Sequence, residues 1–372
     1  MTSEGKLIAR YMPFHLAFKN PSGTSKGVLT EKPSYFLIFA SSLAPNIPLG
    51  IGEASIIPRI SPDDNADYES VLKTYTEAIT AKKIGLSSFE EANEWLPLLL
   101  QQYVFDLVPS KFPSIRFAAE CALRGLANGN CHTLFQNDFS AGKTPLPING
   151  LVWMNSIEVM RTQVAEKIAQ GYNCIKLKIG ALNFADELAL LQEIRAQHPA
   201  DKLTLRVDAN GAFTPEEALD KLDALAPLEL HSIEQPIAKG NFEAMEKLCE
   251  ESEVPIALDE ELTSTYTFSG RKTMLEKISP DFIVLKPSLL GGFTACSEWI
   301  SLAESMGIGW WITSALESNV GLNAIAQFTA NYEIAMPQGL GTGQLFEKNI
   351  ASPLTIKTGK LHYQKAISWE II

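Results

Sequence analysis

Long apolar stretches, runs of basic residues and paired cysteines are all missing from this 372-residue chain, and each absence removes a class of function. The most apolar segment, from Tyr35 to Ile51, is broken by Ser41, Ser42, Pro45, Asn46 and Pro48. It cannot offer the ~18 unbroken apolar residues that a membrane span needs. Charges and a proline in MTSEGKLIARYMPFHLAF interrupt the place where an export signal carries its apolar core, so export is not expected. Cys121, Cys131, Cys174, Cys249 and Cys296 are odd in number and contain no CxxC pair. Neither a disulfide framework nor a zinc ribbon is indicated, and reduced thiols of a cytoplasmic protein fit best. The 43 acidic residues outnumber the 31 basic ones for a net charge of -12, a field that repels a polyphosphate backbone; nucleic acid is excluded as a partner, as is a membrane.

What remains is a globular composition, 46% hydrophobic and 20% charged, long enough for one large domain and a smaller one. The first third mixes strand-like patterning, as at Tyr35 to Ala40, with helix-like patterning at Tyr68 to Ala81 and Ile115 to Ala127, and reads as α+β. Its Gly-, Pro- and Ser-rich segments, Asn20 to Gly27 and Gly50 to Pro62, are expected to be long loops that cover a substrate. From Leu151 the texture becomes a short apolar run, a turn and an amphipathic helix, repeated along the chain. Strands are expected at Leu151 to Met154, Cys174 to Lys178, Leu203 to Val207, His231 to Ile233, Ile256 to Leu258, Phe282 to Leu285 and Gly309 to Ile312. Ser156, and Thr214 followed by Pro215, Glu216 and Glu217, are helix-start signals between them. Seven such units point to a parallel barrel, although a doubly wound open sheet shows the same alternation.

The polar residues favour the barrel. Each of five strands ends in ionisable side chains: Lys176 and Lys178, Asp208, Glu234, Asp259, and Lys286. A single charge at a strand end is more often a helix cap or a surface ion pair. A succession of them, roughly 25 to 30 residues apart, becomes a ring around one pocket once a barrel gathers its strand ends on one face. Asp208, Glu234 and Asp259 form an oxygen-only ligand set suited to Mg²⁺ or Mn²⁺. Without a cation such a trio repels itself, and one member tends to protonate. Lys176 and Lys178, two apart on a strand, face the same side. Positive charge at one point is what removal of a proton beside a carboxylate requires, because a second negative charge builds on a group already charged. Lys178 is the expected base, its pKa lowered by the ion and by Lys176, and Lys286 acts from the other side. The expected partner is therefore a small-molecule carboxylate.

The strings K-x-K at Lys176 and Lys178, D-x-N at Asp208 and Asn210, E-Q-P from Glu234, D-E at Asp259 and Glu260, and K-P at Lys286 resemble the enolase superfamily, in its muconate-cycloisomerase-like branch. The resemblance implies a Lys or His base and Mg²⁺-assisted chemistry. The resemblance implies a modified (β/α)7β TIM-type barrel over 146–345, an N-terminal α+β capping domain over 1–145, and a segment 346–372 that returns to the cap. It also implies that loops at Gly23 and Gly52 close over the substrate, with Asn210, Glu260 and Ser314 in support. The run from Thr313 to Ser318 and that from Gln338 to Thr342 are similar to those of branch members that dehydrate a cyclohexadiene carboxylate to an aromatic product. Dipeptide epimerases of the branch hold the substrate ammonium with an Asp-x-Asp on the last strand, where this chain has Gly341, Thr342 and Gly343. Racemisation of N-acylated amino acids is the second reading, and a barrel without catalysis, which would have lost a ligand or a lysine, is the third. None of His15, His132, His198, His231 and His362 is expected to be catalytic, and only His231 is expected near the active face.

Overall fold

A computed structural model of the chain describes residues 5–24, 27–89 and 94–372. Residues 1–4 of the N-terminal stretch, and Ser25 and Lys26 within the Asn20 to Gly27 segment, lie outside the described residues. Three antiparallel strands, β1 (Leu7–Thr24), β2 (Gly27–Ser41) and β3 (Ala44–Ser55), form the first sheet in that order. Helices α1 (Tyr68–Ala81), α2 (Leu96–Leu100) and α3 (Pro113–Ala127) follow, and Leu37, Phe39, Tyr75, Ile115 and Ala119 share one buried core between sheet and helices. Pro113 supplies the fixed φ that suits a first helical turn.

Of the two expected loops, the first is largely strand, whereas the second is strand only over its first six residues and residues 56–62 form the loop that was expected. Asn20 to Thr24 continue β1, with Gly23 opposite Val28 at the hairpin tip, and Gly50 to Ser55 belong to β3, with Gly52 opposite Leu37. Glycine was read there as a signal for a turn, but its role is close packing. A β-carbon on Gly52 would lie 1.9 Å from the Ala118 carbonyl oxygen, and one on Gly50 1.9 Å from that of Ala122, so α3 can lie against β3 only where side chains are absent. Gly52 is therefore no loop that closes over a substrate.

A short strand β4 (Leu146–Pro147) leads into seven parallel strands: β5 (Gly150–Val152), β6 (Cys174–Lys178), β7 (Thr204–Asp208), β8 (Ser232–Glu234), β9 (Ile256–Leu258), β10 (Phe282–Leu285) and β11 (Gly309–Ile312). Each lies within two residues of its expected bounds. Helices α4 (Ile157–Ala169), α5 (Phe184–Gln197), α6 (Pro215–Leu225), α7 (Phe242–Glu251), α8 (Phe268–Ile278), α9 (Pro287–Leu290), α10 (Phe293–Ser305) and α11 (Asn319–Thr329) connect and follow them. Ser156 caps α4, and Thr214 with Glu217 forms a capping box on α6. The ring closes through an eighth, two-residue strand: Gln338 bridges Ile148 and Gly339 bridges Thr313, both in parallel. Asn149 donates its backbone N–H to the Gln338 carbonyl (3.0 Å), and Gly339 donates to that of Ile312 (2.8 Å). This is the (β/α)7β barrel that the sequence led us to expect.

Strand β12 (Leu354–Lys357) pairs with β13 (Lys360–Tyr363), which in turn pairs with β4. The same C-terminal segment touches the first sheet, where Phe346 bridges Phe18, and Trp369 stacks on His132 at 4.0 Å between ring centres. Two buried carboxylates join the halves of the molecule. Glu120 of α3 accepts the Phe293 and Thr294 N–H groups that begin α10, and Glu53 of β3 accepts those of Ser318 and Gly321 at the start of α11. Both place negative charge at a helix N-terminus, where the helix dipole favours it. All five cysteines are free, and among the described residues no helix is long and apolar enough to cross a membrane.

The close approach at Gly52 sets an expected outcome. Gly52→Ala forces α3 off β3, at a cost of about 1–3 kcal/mol for overpacking, and thermal denaturation should show a melting temperature lowered by several degrees. An unchanged melting temperature would mean that the two elements are not in contact there.

Candidate active site

Neighbouring strands align the charged residues in register: Lys178 lies opposite Asp208 across β6 and β7, and Asp208 lies opposite Glu234 across β7 and β8. Because paired positions face the same side, Lys176 and Lys178 turn into the barrel with Asp208 and Glu234. The backbone then bends sharply just past the acids. Asn210 (φ 45°) and Gln235 (φ 41°) hold the left-handed conformation, which is uncommon for residues with a β-carbon and clusters at functional sites. Gln235 earns its place by receiving the N–H groups of Asp259 (3.1 Å) and Glu261 (3.2 Å) on Oε1, which fixes where β9 ends.

Lys176 Nζ lies 2.8 Å from Asp208 Oδ2 and 2.5 Å from Glu234 Oε2. Lys178 Nζ donates to the same Asp208 oxygen (3.1 Å) and to Asn210 Oδ1 (2.6 Å), and Asn210 Nδ2 donates onward to Glu260 Oε1 (3.1 Å). Lys286 Nζ donates to Asp259. The structure thus brings Lys176, Lys178, Asp208, Asn210, Glu234 and Glu260 into one connected network, with the Lys286–Asp259 pair near enough to act on it through its charges.

Burial and mutual repulsion set the charge states. Burial pushes the Asp208 carboxyl up, but the Lys176 and Lys178 ammoniums outweigh it and hold the group well below the usual carboxylate range. Glu234 goes the other way: burial, then the neighbouring Asp208 charge, raises it to about 8. Asp259 is also raised, by burial and by Glu260. Burial depresses Lys176 and Lys286, yet the carboxylates beside each outweigh it and both shift upward, Lys286 through Asp259 and Glu260. Burial, reinforced by the neighbouring acids, thus drives Glu234 and Asp259 toward protonation.

Among the described residues no three acidic, imidazole or thiol side chains converge closely enough to hold an ion, because each acid of the trio is turned to an ammonium. The donor set nevertheless fits a hard cation. Its atoms are all oxygens, and Glu234 Oε1 and Glu260 Oε2 are buried without a hydrogen-bond partner, a costly state that a bound cation would relieve. To bind an ion, the carboxylates would have to leave the ammoniums that now neutralise them.

A cleft of about 580 Å³ opens on this cluster. Lys176, Lys178, Asp208, Asn210, Glu260 and Lys286 line its depth, with Ser314 on its wall. Lys19 and Pro21, beside the Gly23 hairpin tip, reach its rim, whereas Gly52 lies away from it. His231 requires a correction: it precedes β8 and therefore sits at the amino end of the strand, stacked on Phe282, away from the mouth. Sequence reasoning missed Trp153, whose ring lies 5.7 Å from Lys178 Nζ, and the lining role of Leu316, whereas Ile57 and Ile60 line the cleft from the Gly50 to Pro62 segment, where cover for a substrate was expected. Continuing the inward alternation of β5 through positions 149, 151 and 153 would have found Trp153. Leu316 comes from an irregular segment that carries no periodic signal.

A parallel barrel with three acids and flanking lysines at its strand ends defines the enolase type of proton-abstracting enzyme, and the chain belongs to the enolase C-terminal domain-like family, which matches residues 159–367. It is 43% identical to the o-succinylbenzoate synthase of Desulfotalea psychrophila over 365 residues, covering 94% of this chain and 97% of that protein. The crystal structure of MenC from the same organism superposes with a TM-score of 0.84 at 39% identity, covering 97% of this chain and all of the other. A dipeptide epimerase from Enterococcus faecalis V583, complexed with Mg and the dipeptide L-Leu-L-Tyr, shares the fold with a TM-score of 0.77 at 20% identity, with 97% of each chain covered.

The raised Glu234 yields a pH prediction. A carboxylic acid must lose its proton to bind a cation, so divalent-ion affinity measured by calorimetry should rise with pH up to about 8 and level off above it. Glu234→Gln should weaken uptake and flatten that dependence. Equal affinity across the range, together with unweakened uptake by Glu234→Gln, would show that Glu234 does not ligate.

Proposed function

We propose that this chain is an o-succinylbenzoate synthase, a carbon–oxygen lyase that dehydrates 2-succinyl-6-hydroxy-2,4-cyclohexadiene-1-carboxylate in menaquinone biosynthesis. Relatedness over nearly the whole length supports the assignment. The single observation that carries it against the epimerases is the stretch from Gly341 to Gln344. It lines the cleft without presenting a carboxylate, so a substrate ammonium would go unpaired there. The five free cysteines support a reducing, cytoplasmic setting.

Asp208, Glu234 and Asp259 would hold Mg²⁺ or Mn²⁺, which when bound supplies positive charge against the substrate carboxylate. The chain's own residues do the rest. Lys178, held by Asn210 and Asp208 beneath the Trp153 ring, takes the proton from the carbon beside the carboxylate. The C–H electron pair becomes part of the developing ring π-system, the C–O bond breaks, and the Lys178 ammonium returns the proton to the departing hydroxide on the same face, releasing water. Lys286, kept protonated by Asp259 and Glu260, remains a fixed cation that stabilises the dianionic transition state. Lys176, between Asp208 and Glu234, places a further positive charge beside Lys178.

Racemisation of N-succinylamino acids is the second reading, favoured by one observation: Lys178 and Lys286, from different strands, both line the cleft, as exchange of a proton between opposite faces requires. The substrate is decided by assaying the cyclohexadiene carboxylate, an N-succinylamino acid and L-Ala-Glu side by side. The first should be preferred, and a preference for the dipeptide would overturn the assignment. Lys178→Ala and Lys286→Ala should each reduce kcat by about 10²- to 10⁴-fold with unchanged circular dichroism. Near-normal turnover in either variant would remove that lysine from the mechanism.

A further inference from the structure

Lys32 is a fully buried lysine outside the cluster of strand-end charges. It lies on β2 with no exposed surface, and its ammonium donates to Ser55 Oγ at the end of β3 and, at 2.9 Å, to the backbone carbonyl of Leu316. These partners belong to different halves of the molecule, and Leu316 is 284 positions away in sequence. Burial draws the Lys32 pKa down, and the nearby Glu53 and Glu317 charges oppose that shift. Holding an ammonium in such a place is expensive unless its hydrogen bonds serve a purpose that an apolar residue could not.

What it grips is a wall of the cleft. Ser314, Ala315 and Leu316 all line the cavity, and Leu316 is held at φ 63°, a left-handed conformation that a leucine does not adopt unless its surroundings impose it. The Lys32 ammonium supplies part of that constraint at the carbonyl. Glu317, next in the chain and fully buried, supplies the rest. Its two oxygens accept from Ser314 Oγ on the cleft wall and from Ser288 Oγ on α9, two residues beyond Lys286. One buried network therefore runs from the N-terminal sheet through the Leu316 carbonyl to the strand end that carries Lys286.

We propose that Lys32 is a positioning residue for the substrate cleft: from the N-terminal sheet it fixes the Ser314–Glu317 turn in the shape the substrate meets. Docking of the N-terminal sheet on the barrel and formation of the cleft wall are then a single event. The proposal rests on the reading of this cleft as the substrate site.

The test is Lys32→Met, which keeps most of the side-chain volume and removes the charge and donors. KM for the cyclohexadiene carboxylate should rise about tenfold while kcat per folded molecule stays within about threefold, because a misplaced wall weakens substrate binding more than proton transfer. Amide hydrogen exchange over residues 314–318 should accelerate relative to the rest of the barrel. A lower melting temperature with KM and exchange at 314–318 both unchanged would mark a merely structural lysine and overturn the proposal. Should Lys32→Met fail to fold, Ser55→Ala removes one of the two acceptors and should raise KM about threefold with faster exchange at 314–318; unchanged values of both would overturn it equally. The exchange measurement needs no substrate, so wild-type inactivity toward the cyclohexadiene carboxylate would sink the assigned reaction without touching the role of Lys32.

Discussion

Three carboxylates at the ends of three adjacent strands repel one another, and the surrounding architecture is organised to contain that repulsion. Strand register places Asp208 and Glu234 side by side in a buried interior, where their interaction is poorly screened. Lys176 bridges both, Lys178 shares the Asp208 oxygen, and Lys286 pairs with Asp259. Removing one partner of such a pair leaves an uncompensated charge, so the charge states of the six residues depend on one another. The opposite pKa shifts of Asp208 and Glu234 are two expressions of one conflict: the acid with two close ammoniums keeps its charge, and the acid with one tends to lose it.

The same need for positive charge is what the chemistry uses. A proton beside a carboxylate departs only where a second negative charge is tolerated, and a pocket built to tolerate three carboxylates already supplies that environment. The rest of the molecule closes the pocket over. Glu53 and Glu120 fasten the N-terminal sheet and α3 to the starts of α11 and α10, and the hairpin of β1 and β2 is tied to the chain after the barrel through Phe18 and Phe346. The cleft is thus shaped by residues from both halves.

Much of this was legible in the sequence because the barrel repeats. Each unit puts its charge at the same place, and the two-residue alternation of Lys176 and Lys178 specifies a face without any knowledge of neighbours. Register then did the remaining work. The features that escaped are those decided between distant segments. Gly50 and Gly52 looked like a flexible loop because glycine permits turns, yet they are the smooth side of a strand on which a helix rests. Leu316 reaches the cleft from a stretch with no period, and its contact with Lys32 joins residues that no local pattern relates. His231 was misplaced because a residue before a strand and a residue after it lie at opposite ends of the barrel.

The proposed chemistry requires Asp208, Glu234 and Asp259 to meet around one divalent ion between Lys178 and Lys286. Crystals grown with Mn²⁺ and measured at the manganese absorption edge test it directly. The account predicts one strong anomalous peak within bonding distance of all three carboxylates. A peak elsewhere, or carboxylates still bound to lysines in the presence of saturating Mn²⁺, would contradict it.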